Sequence, residues 1–470
     1  MRSPPACRGR LALLLCCLVA TCARASQPTV EPPPANIAIA DLPCGELASR
    51  SLDRLTLLDS AAYVLCRNPL LGQALQLVNE QQAGVALAES AYRPRLSAAA
   101  ELSGNRIPSS DSSAGSLRSS ATASLGLSWV LYDAGLRDAN LSQSRWLRDS
   151  AVASQQNAML TALNDALRLY GEAATASARL NALRDAEVVA QQSLRAAQAK
   201  HEALVGSLGE RLQAQTALAQ ATLDRVRGEG AWLTARGMLA LAMGLSADQP
   251  LGLADVDAAF DGLTASVPDA QWIAQTRLAH PRLRSARADV QALQARLQAI
   301  QAEDGASVSM GLGVASTRDL RSAGGRLDPR LSGSLYASIP IFNGPEQRAR
   351  EGQVLAQIAS REAALNQAER DIDADLWRNA RLLETETQNF QSAKLLLSAA
   401  TQSYEIAFGR YKAGVGSILE LLATQNALSA ARSQLVQAQL GLGQARLRLA
   451  VAAGQTPGFS NAPGDNKKPP

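Results

Sequence analysis

The stretch RYKAGVGSILELLATQ, Arg410 to Gln425, interrupts a long Ala- and Gln-rich region with two glycines. Each glycine costs a helix about 1 kcal/mol relative to alanine, so the pair predicts a break in an otherwise helical segment. A second stretch, KHEALVGSLGERLQAQ, Lys200 to Gln215, shows the same pattern 210 residues earlier. We therefore predict two long helices, each reversed at a Val-Gly-Ser turn, in two copies of one unit.

The shift of 210 residues relates more than the two turns. It places SLGLSWVLYDAG (124–135) on SLYASIPIFNGP (334–345), and upstream it becomes 212, which places RNPLL (67–71) on AHPRL (279–283). Each copy has the same order: a helix, two strands, a very long helix, a break and a return helix. The chain thus contains an internal two-fold repeat, with copy one at 53–245, a linker at 246–269 and copy two at 270–454.

Four segments alternate apolar and small polar residues, which is the period of a β-strand. They span about residues 94–106, 119–132, 306–318 and 330–342, close to the length of a tilted membrane strand. Their small hydroxylated faces suit a watery lumen, whereas a soluble β-sandwich would be thin with four strands. Four strands cannot close a barrel, so a membrane barrel needs several chains. Three chains suit a conduit better than two, because an eight-stranded barrel is filled by its own side chains.

The longest predicted helix runs from about 136 to 204, almost without Gly or Pro. At 1.5 Å per residue it would be roughly 100 Å long. The return helix at about 208–245 and the opening helices at about 53–91 and 270–303 are much shorter. One long helix can therefore be flanked by two short ones stacked end to end, a return helix and the opening helix of the next copy. An ordinary dimeric coiled coil is the alternative, but it explains neither the duplication nor the strands.

The N-terminus predicts export. A basic segment, an apolar run at 11–22 and small residues before Ser26 indicate a signal peptide at 1–25, cleaved between Ala25 and Ser26. A Pro-rich extended segment at 26–52 follows, and residues 455–470 form a disordered-looking tail. Because oxidising compartments favour disulfides, we predict one between the two remaining cysteines, Cys44 and Cys66, with two buried free thiols as the alternative.

Composition excludes several function classes. The net charge is +4 over 470 residues without a basic block, so nucleic acid is not an expected partner. The two histidines lie far apart in sequence and no HExxH or paired Cys/His spacing is present, which argues against a metal site. No phosphate-binding loop or catalytic triad is recognisable. We therefore expect no enzyme activity and no cofactor.

The chain resembles TolC-type outer-membrane efflux proteins over about residues 45 to 455. The resemblance lies in WVLYDAG and IPIFNG at the strand-to-helix exits, YKAGVGSILELL at the break, and the doubled order of elements. It implies a mainly α fold with a transmembrane β-barrel in the outer membrane. A homotrimer would form a 12-stranded barrel, four strands per chain, which continues as a 12-helix periplasmic α-barrel.

The resemblance also assigns roles to the two turns. They become the periplasmic tip that docks an adaptor, through Leu204, Val205, Gly206, Ser207, Gly414, Val415, Gly416 and Ser417. Glycine is expected there because a helix reversal needs a positive φ. Glu420, with its counterpart Glu210, becomes an acidic ring in the lumen, and Tyr411 a residue that locks the closed tip. Relatives carry an arginine and a second acid where this chain has Gly416 and Ala423, so the lock departs from their pattern.

The resemblance implies a passive conduit for export. Its partners would be a periplasmic adaptor, an inner-membrane ABC transporter, an exported protein and outer-membrane lipid. Protein toxin export by type I secretion and small-molecule efflux use the same channel design, and overall likeness favours protein secretion. A structural periplasmic coiled-coil protein is the competing class, which predicts neither amphipathic strands nor membrane residence.

Overall fold

The structure, a computed structural model, describes residue 44 and residues 52–109, 112–254, 276–320 and 328–454. The predicted signal peptide with its Ala25–Ser26 cleavage site, most of the extended segment, the later part of the linker and the C-terminal tail lie outside these residues. Seven helices and four strands follow a short 3₁₀ turn in the described ranges. They are α1 (Leu57–Arg67), α2 (Pro69–Ser90), β1 (Arg95–Ser109), β2 (Ser112–Tyr132), α3 (Leu136–Glu202), α4 (Leu208–Ala242), α5 (Pro281–Glu303), β3 (Ser307–Asp319), β4 (Asp328–Ser338), α6 (Glu346–Lys412) and α7 (Ile418–Ala452).

The four strands form one antiparallel sheet in the order β1-β2-β3-β4. Its register places apolar residues opposite one another, in rows such as Ala98–Leu125–Val314–Leu331. Because side chains opposite one another share a face, the predicted alternation yields one continuous apolar face. Leucines on that face, among them Leu96, Leu125 and Leu331, are exposed in the chain.

The start of β2 and the end of β4 differ most from the sequence prediction. β2 begins at Ser112 rather than near 119, because pairing with β1 continues through a Ser- and Gly-rich run that shows no alternation. β4 ends at Ser338, four residues before the predicted end. Pro340 lacks an N–H for the ladder and restricts the residue before it, so the run with Ile339 and Ile341 leaves the sheet.

The helices have the predicted proportions. α3 and α6 have 67 residues each, which corresponds to roughly 100 Å, and α4 and α7 have 35 each. Small side chains line the seams between them, and Ala166, Ala190 and Ala214 on the first repeat are fully buried, as are Ala431 and Ala445 on α7. Alanine at these positions allows the long helices to pack closely along their length.

The short helices stack differently from the prediction. Each return helix meets the opening helix of its own copy: a β-carbon at Gly244 would lie 3.1 Å from Cβ of Arg67, and one at Gly454 would lie 3.2 Å from Cδ of Pro281. The first return helix does not continue into the next copy, because the linker turns back. Leu55 N donates to Gly252 O and Gly252 N donates to Leu52 O, both at 2.9 Å.

The opening helices begin with the same local device in both copies. Asn68 Oδ1 accepts a hydrogen bond from Leu70 N at 2.9 Å, and His280 Nδ1 accepts one from Arg282 N at 3.2 Å. A proline follows each cap at the first helical position, where its missing N–H has no partner to lose.

In the described ranges, no helix is both long enough and apolar enough to cross a membrane. Cys44 and Cys66, the predicted pair, form a disulfide in the structure, with Cα atoms 5.7 Å apart.

Candidate functional site

The candidate site is the pair of turns that join the long helices to their return helices. The first turn covers residues 203–207 between α3 and α4, and the second covers 413–417 between α6 and α7. Their backbone hydrogen bonds correspond one to one: Val205 N and Gly206 N donate to Lys200 O at 3.0 Å, as Val415 N and Gly416 N donate to Arg410 O at 3.1 Å. Ser207 and Ser417 then cap the return helices through their hydroxyls.

The glycines of the turns have two different functions. Gly414 has a φ of +82°, but in the first turn the positive φ of +61° belongs to Leu204. Gly206 and Gly416 occupy equivalent positions in the two turns, and glycine is required there because a side chain would have no space. A β-carbon at Gly416 would lie 2.8 Å from Tyr411 N, and one at Gly206 would lie 2.9 Å from Cβ of Lys200. The expectation that glycine supplies the left-handed residue therefore holds for the second turn and is wrong for the first.

Apolar side chains project from both turns. Leu204 is 93% exposed, and Val205, Val415 and Leu419 are exposed as well. Burial therefore does not explain why these residues are apolar, and an exposed apolar cluster of this kind is typical of a contact surface for another protein.

The two turns are held side by side through Tyr411, near the end of α6. Its side chain is 0% exposed, and its hydroxyl donates to Glu210 Oε2 on α4 at 3.4 Å. The ammonium nitrogen of Lys200, on α3, lies 3.7 Å from the centre of the Tyr411 ring, a cation–π contact. Burial, and then the charge of Glu210 and its hydrogen bond, raise the pKa of Tyr411 to about 12. Tyr411 thus contacts both helices of the first hairpin.

Glu420 has a partner in its own hairpin. Arg410 Nη1 lies 3.0 Å from Glu420 Oε1, and both side chains are partly exposed. The equivalent residues of copy one, Lys200 and Glu210, do not pair with each other but flank Tyr411 instead. The two predicted acidic residues are therefore both engaged within the chain.

Farther from the turns, polar contacts continue along the seam between the hairpins. Ser193 Oγ donates to Gln425 Oε1 at 3.0 Å, and both residues are buried. Arg432 on α7 lies 3.5 Å from Asp185 on α3. Tyr404 lies in the buried apolar cluster that also contains Tyr411, Ile418 and Leu421, and its hydroxyl has no hydrogen-bond partner among the described residues.

Lys200 and Arg410 contact the site but were not predicted from the sequence. The available signal was positional, because a basic residue stands ten positions before a glutamate across both turns. Which glutamate each would contact depends on how the two hairpins pack, and a repeat alone does not specify that. In the described part of the chain, no three His, Cys, Asp or Glu side chains lie close enough together to hold a metal ion. The contacts at the turns are hydrogen bonds and ion pairs suited to holding helices together.

Comparisons with known proteins agree with this architecture. The family model described as outer membrane efflux protein matches twice, at residues 62–245 and 272–455. Protein CyaE of Bordetella pertussis is 31% identical over 430 residues, which cover 91% of this chain and 89% of the relative. The crystal structure of CusC has a TM-score of 0.75 at 17% identity, covering 85% of this chain and 92% of CusC. The CmeC outer membrane channel of Campylobacter jejuni has a TM-score of 0.72 at 16% identity, covering 91% and 94%.

Proposed function

We propose that this chain, which belongs to the outer membrane efflux protein family, is a conduit through which a secreted protein toxin leaves the cell. As a member of this family it resides in the outer membrane and extends into the periplasm. The conduit performs no chemistry of its own, and a partner supplies the energy. The observation that carries the proposal is the combination in one chain of an exposed apolar sheet face and paired helical hairpins roughly 100 Å long.

Three copies complete the channel in this proposal. The sheet has two edges, β1 and β4, whose outer sides pair with no other described strand. Lipid does not tolerate open edges, so joining β4 of one copy to β1 of the next would remove them. α4 exposes apolar residues along its length, such as Leu212, Val226 and Leu241, which neighbouring copies would cover. Three chains would supply a 12-stranded barrel and a helical tunnel below it.

The turns form the closed periplasmic end in this proposal. The exposed Leu204, Val205 and Val415 form the surface on which a periplasmic adaptor docks. The Tyr411–Glu210 hydrogen bond holds the hairpins together in the closed state, and the Lys200 contact supports it. Opening requires the hairpins to separate, so these contacts are the ones that must break. Glu420 contributes to an acidic ring whose charge is offset by Arg410.

The resemblance to CyaE implies a protein cargo and, with it, an inner-membrane ABC transporter as the energised partner. The match to CyaE spans about nine tenths of both chains at 31% identity, whereas CusC and CmeC match at 17% and 16%. Small-molecule efflux remains the competing cargo, because the same architecture serves both.

Gene deletion separates the two cargoes. Cells that lack the gene are assayed for a large toxin in the medium and for susceptibility to a panel of drugs, with the wild-type gene restored as the control. The proposal predicts loss of the toxin from the medium and its recovery on complementation. Unchanged toxin export together with increased drug susceptibility would instead identify the chain as a small-molecule channel.

A further inference from the structure

A cavity of about 550 Å³ lies far from the turns, where the end of α7 meets the start of α5. Helices α3, α5, α6 and α7 all contribute to its wall. Arg168, Arg282, Arg448 and His280 line it, and Asp375 is the one carboxylate among the lining residues. The wall therefore carries a surplus of positive charge.

The arginines differ in how far their charge is already balanced. Arg168 lies 3.0 Å from Glu172, and Arg282 lies 2.9 Å from Asp371. Arg448 has only the amide oxygen of Gln444, at 3.5 Å, and no carboxylate partner in the described ranges. Asp375 cannot balance it fully, because Asp375 already accepts a hydrogen bond from Arg378 at 2.5 Å. Arg448 thus faces the cavity as an unbalanced cation.

His280 adds a neutral donor to the same wall. Its side chain is buried, with 7% of the residue exposed, and burial and the charge of Arg282 lower its pKa. Because Nδ1 accepts the hydrogen bond from Arg282 N, the neutral ring carries its proton on Nε2. That N–H donates to none of the described residues. Nε2 is not among the buried side-chain atoms that lack a partner, so this N–H is open to the cavity and can donate to a ligand or water there.

The helix ends do not account for this charge. α5 presents its positive N-terminal end at the junction, but α7 presents its negative C-terminal end beside it, and the two partial charges offset each other. The positive potential of the cavity therefore comes from side chains.

The first repeat shows that the stacked junction does not need these side chains. By the repeat shift, Asn68, Leu70 and Met238 stand where the second repeat has His280, Arg282 and Arg448. Asn68 caps α2 as His280 caps α5, so an amide is sufficient for the fold. The imidazole and the two guanidinium groups are additions specific to the second junction.

We propose that this cavity is a binding site for a small multivalent anion of the phosphate or carboxylate class, held by Arg448 and His280 Nε2 and supported by Arg282 and Arg168. Guanidinium groups bind such anions through charge-assisted, paired hydrogen bonds. Asn157 is the lining residue of α3 nearest to the sheet, 21 residues from the start of α3 at Leu136 and so roughly 30 Å along the helix from the strand ends. Lipid head groups therefore do not reach the cavity, and the ligand is a soluble anion.

Calorimetric titration of the detergent-solubilised full chain with inorganic phosphate, and separately with citrate, tests the site at constant ionic strength. Arg448→Met and His280→Asn introduce the residues that the first repeat has at these positions. Both variants therefore carry side chains with which the equivalent junction of the first repeat already folds. Arg179→Met removes an exposed arginine of α3 outside the cavity and is the matched control. We expect saturable binding of one of the two anions, at least about tenfold weaker in Arg448→Met and unchanged in Arg179→Met.

The proposal is overturned if neither anion binds saturably, or if Arg448→Met binds as tightly as the wild type. Circular dichroism of each variant confirms that the helices are intact. The His280→Asn variant preserves the cap of α5 but lacks Nε2. Weaker anion binding in this variant would show that Nε2, and not the start of the helix, holds the anion.

Discussion

Replacing Tyr411 with phenylalanine should loosen the closed end of the channel. The change removes one hydroxyl and keeps the buried ring, its packing and the Lys200 contact. The hydrogen bond to Glu210 is long, at 3.4 Å, so we assign it about 1 kcal/mol per chain. If three chains open together, the closed state loses about 3 kcal/mol, which corresponds to roughly a 100-fold change in the ratio of closed to open channels.

Tyr404→Phe is the matched control for this experiment. Tyr404 lies in the same buried cluster, but its hydroxyl has no partner among the described residues, so its removal should not open the channel. Single-channel recording in planar bilayers gives the open probability of each variant. An open probability unchanged in Tyr411→Phe, or raised equally in Tyr404→Phe, would refute the assignment of Tyr411 as the closing contact.

Three further outcomes follow from the same contacts. The folded-state pKa of Tyr411 is raised to about 12 from an ordinary value of about 10, so the stability it contributes is present below pH 10 and is lost as the pH rises toward 12. Wild-type open probability should therefore increase more steeply over that window than the open probability of Tyr411→Phe. Arg410→Gln leaves Glu420 unpaired, so it should increase cation selectivity and block by multivalent cations, and Glu420→Gln should do the reverse. Equal reversal potentials in the two variants would show that this ion pair does not line the pore. Leu204→Gly should be neutral to stabilising by up to about 1 kcal/mol because the residue is exposed with a positive φ, whereas Gly414→Leu should be destabilising by about 1–2 kcal/mol, and protease resistance of the tip should rank the variants in that order.

The order of the elements could be predicted because the sequence contains it in two copies, and the same pattern in both copies supports each assignment. The alternation around Leu125 and Leu331 predicted strands that the sheet confirms in one register. The early start of β2 could not be predicted, since the run from Ser112 has no period of its own and becomes a strand by pairing with β1. The sequence pattern predicts a strand where apolar and polar residues alternate. Where they do not alternate, pairing with a neighbouring strand determines whether a strand forms.

At the tip, sequence indicated where the chain turns but not which residues meet. The Val-Gly-Ser pattern located both turns, and the structure places their hydrogen bonds in correspondence. Leu204 could not be identified as the left-handed residue, because the cost of that conformation is small and the surrounding hydrogen bonds outweigh it. The pairing of Tyr411 with Glu210 joins residues about 200 positions apart, and only the packing of one hairpin on the other decides it.

The mass of the assembled particle is decisive, because the proposed conduit exists only if several copies close around it. Native mass spectrometry of the detergent-solubilised mature protein measures this mass. We expect three copies per particle and no stable smaller form. A particle of one or two copies would contradict the proposed channel. One copy would leave the sheet edges at β1 and β4 open, and two copies would form an eight-stranded barrel that is too narrow to conduct.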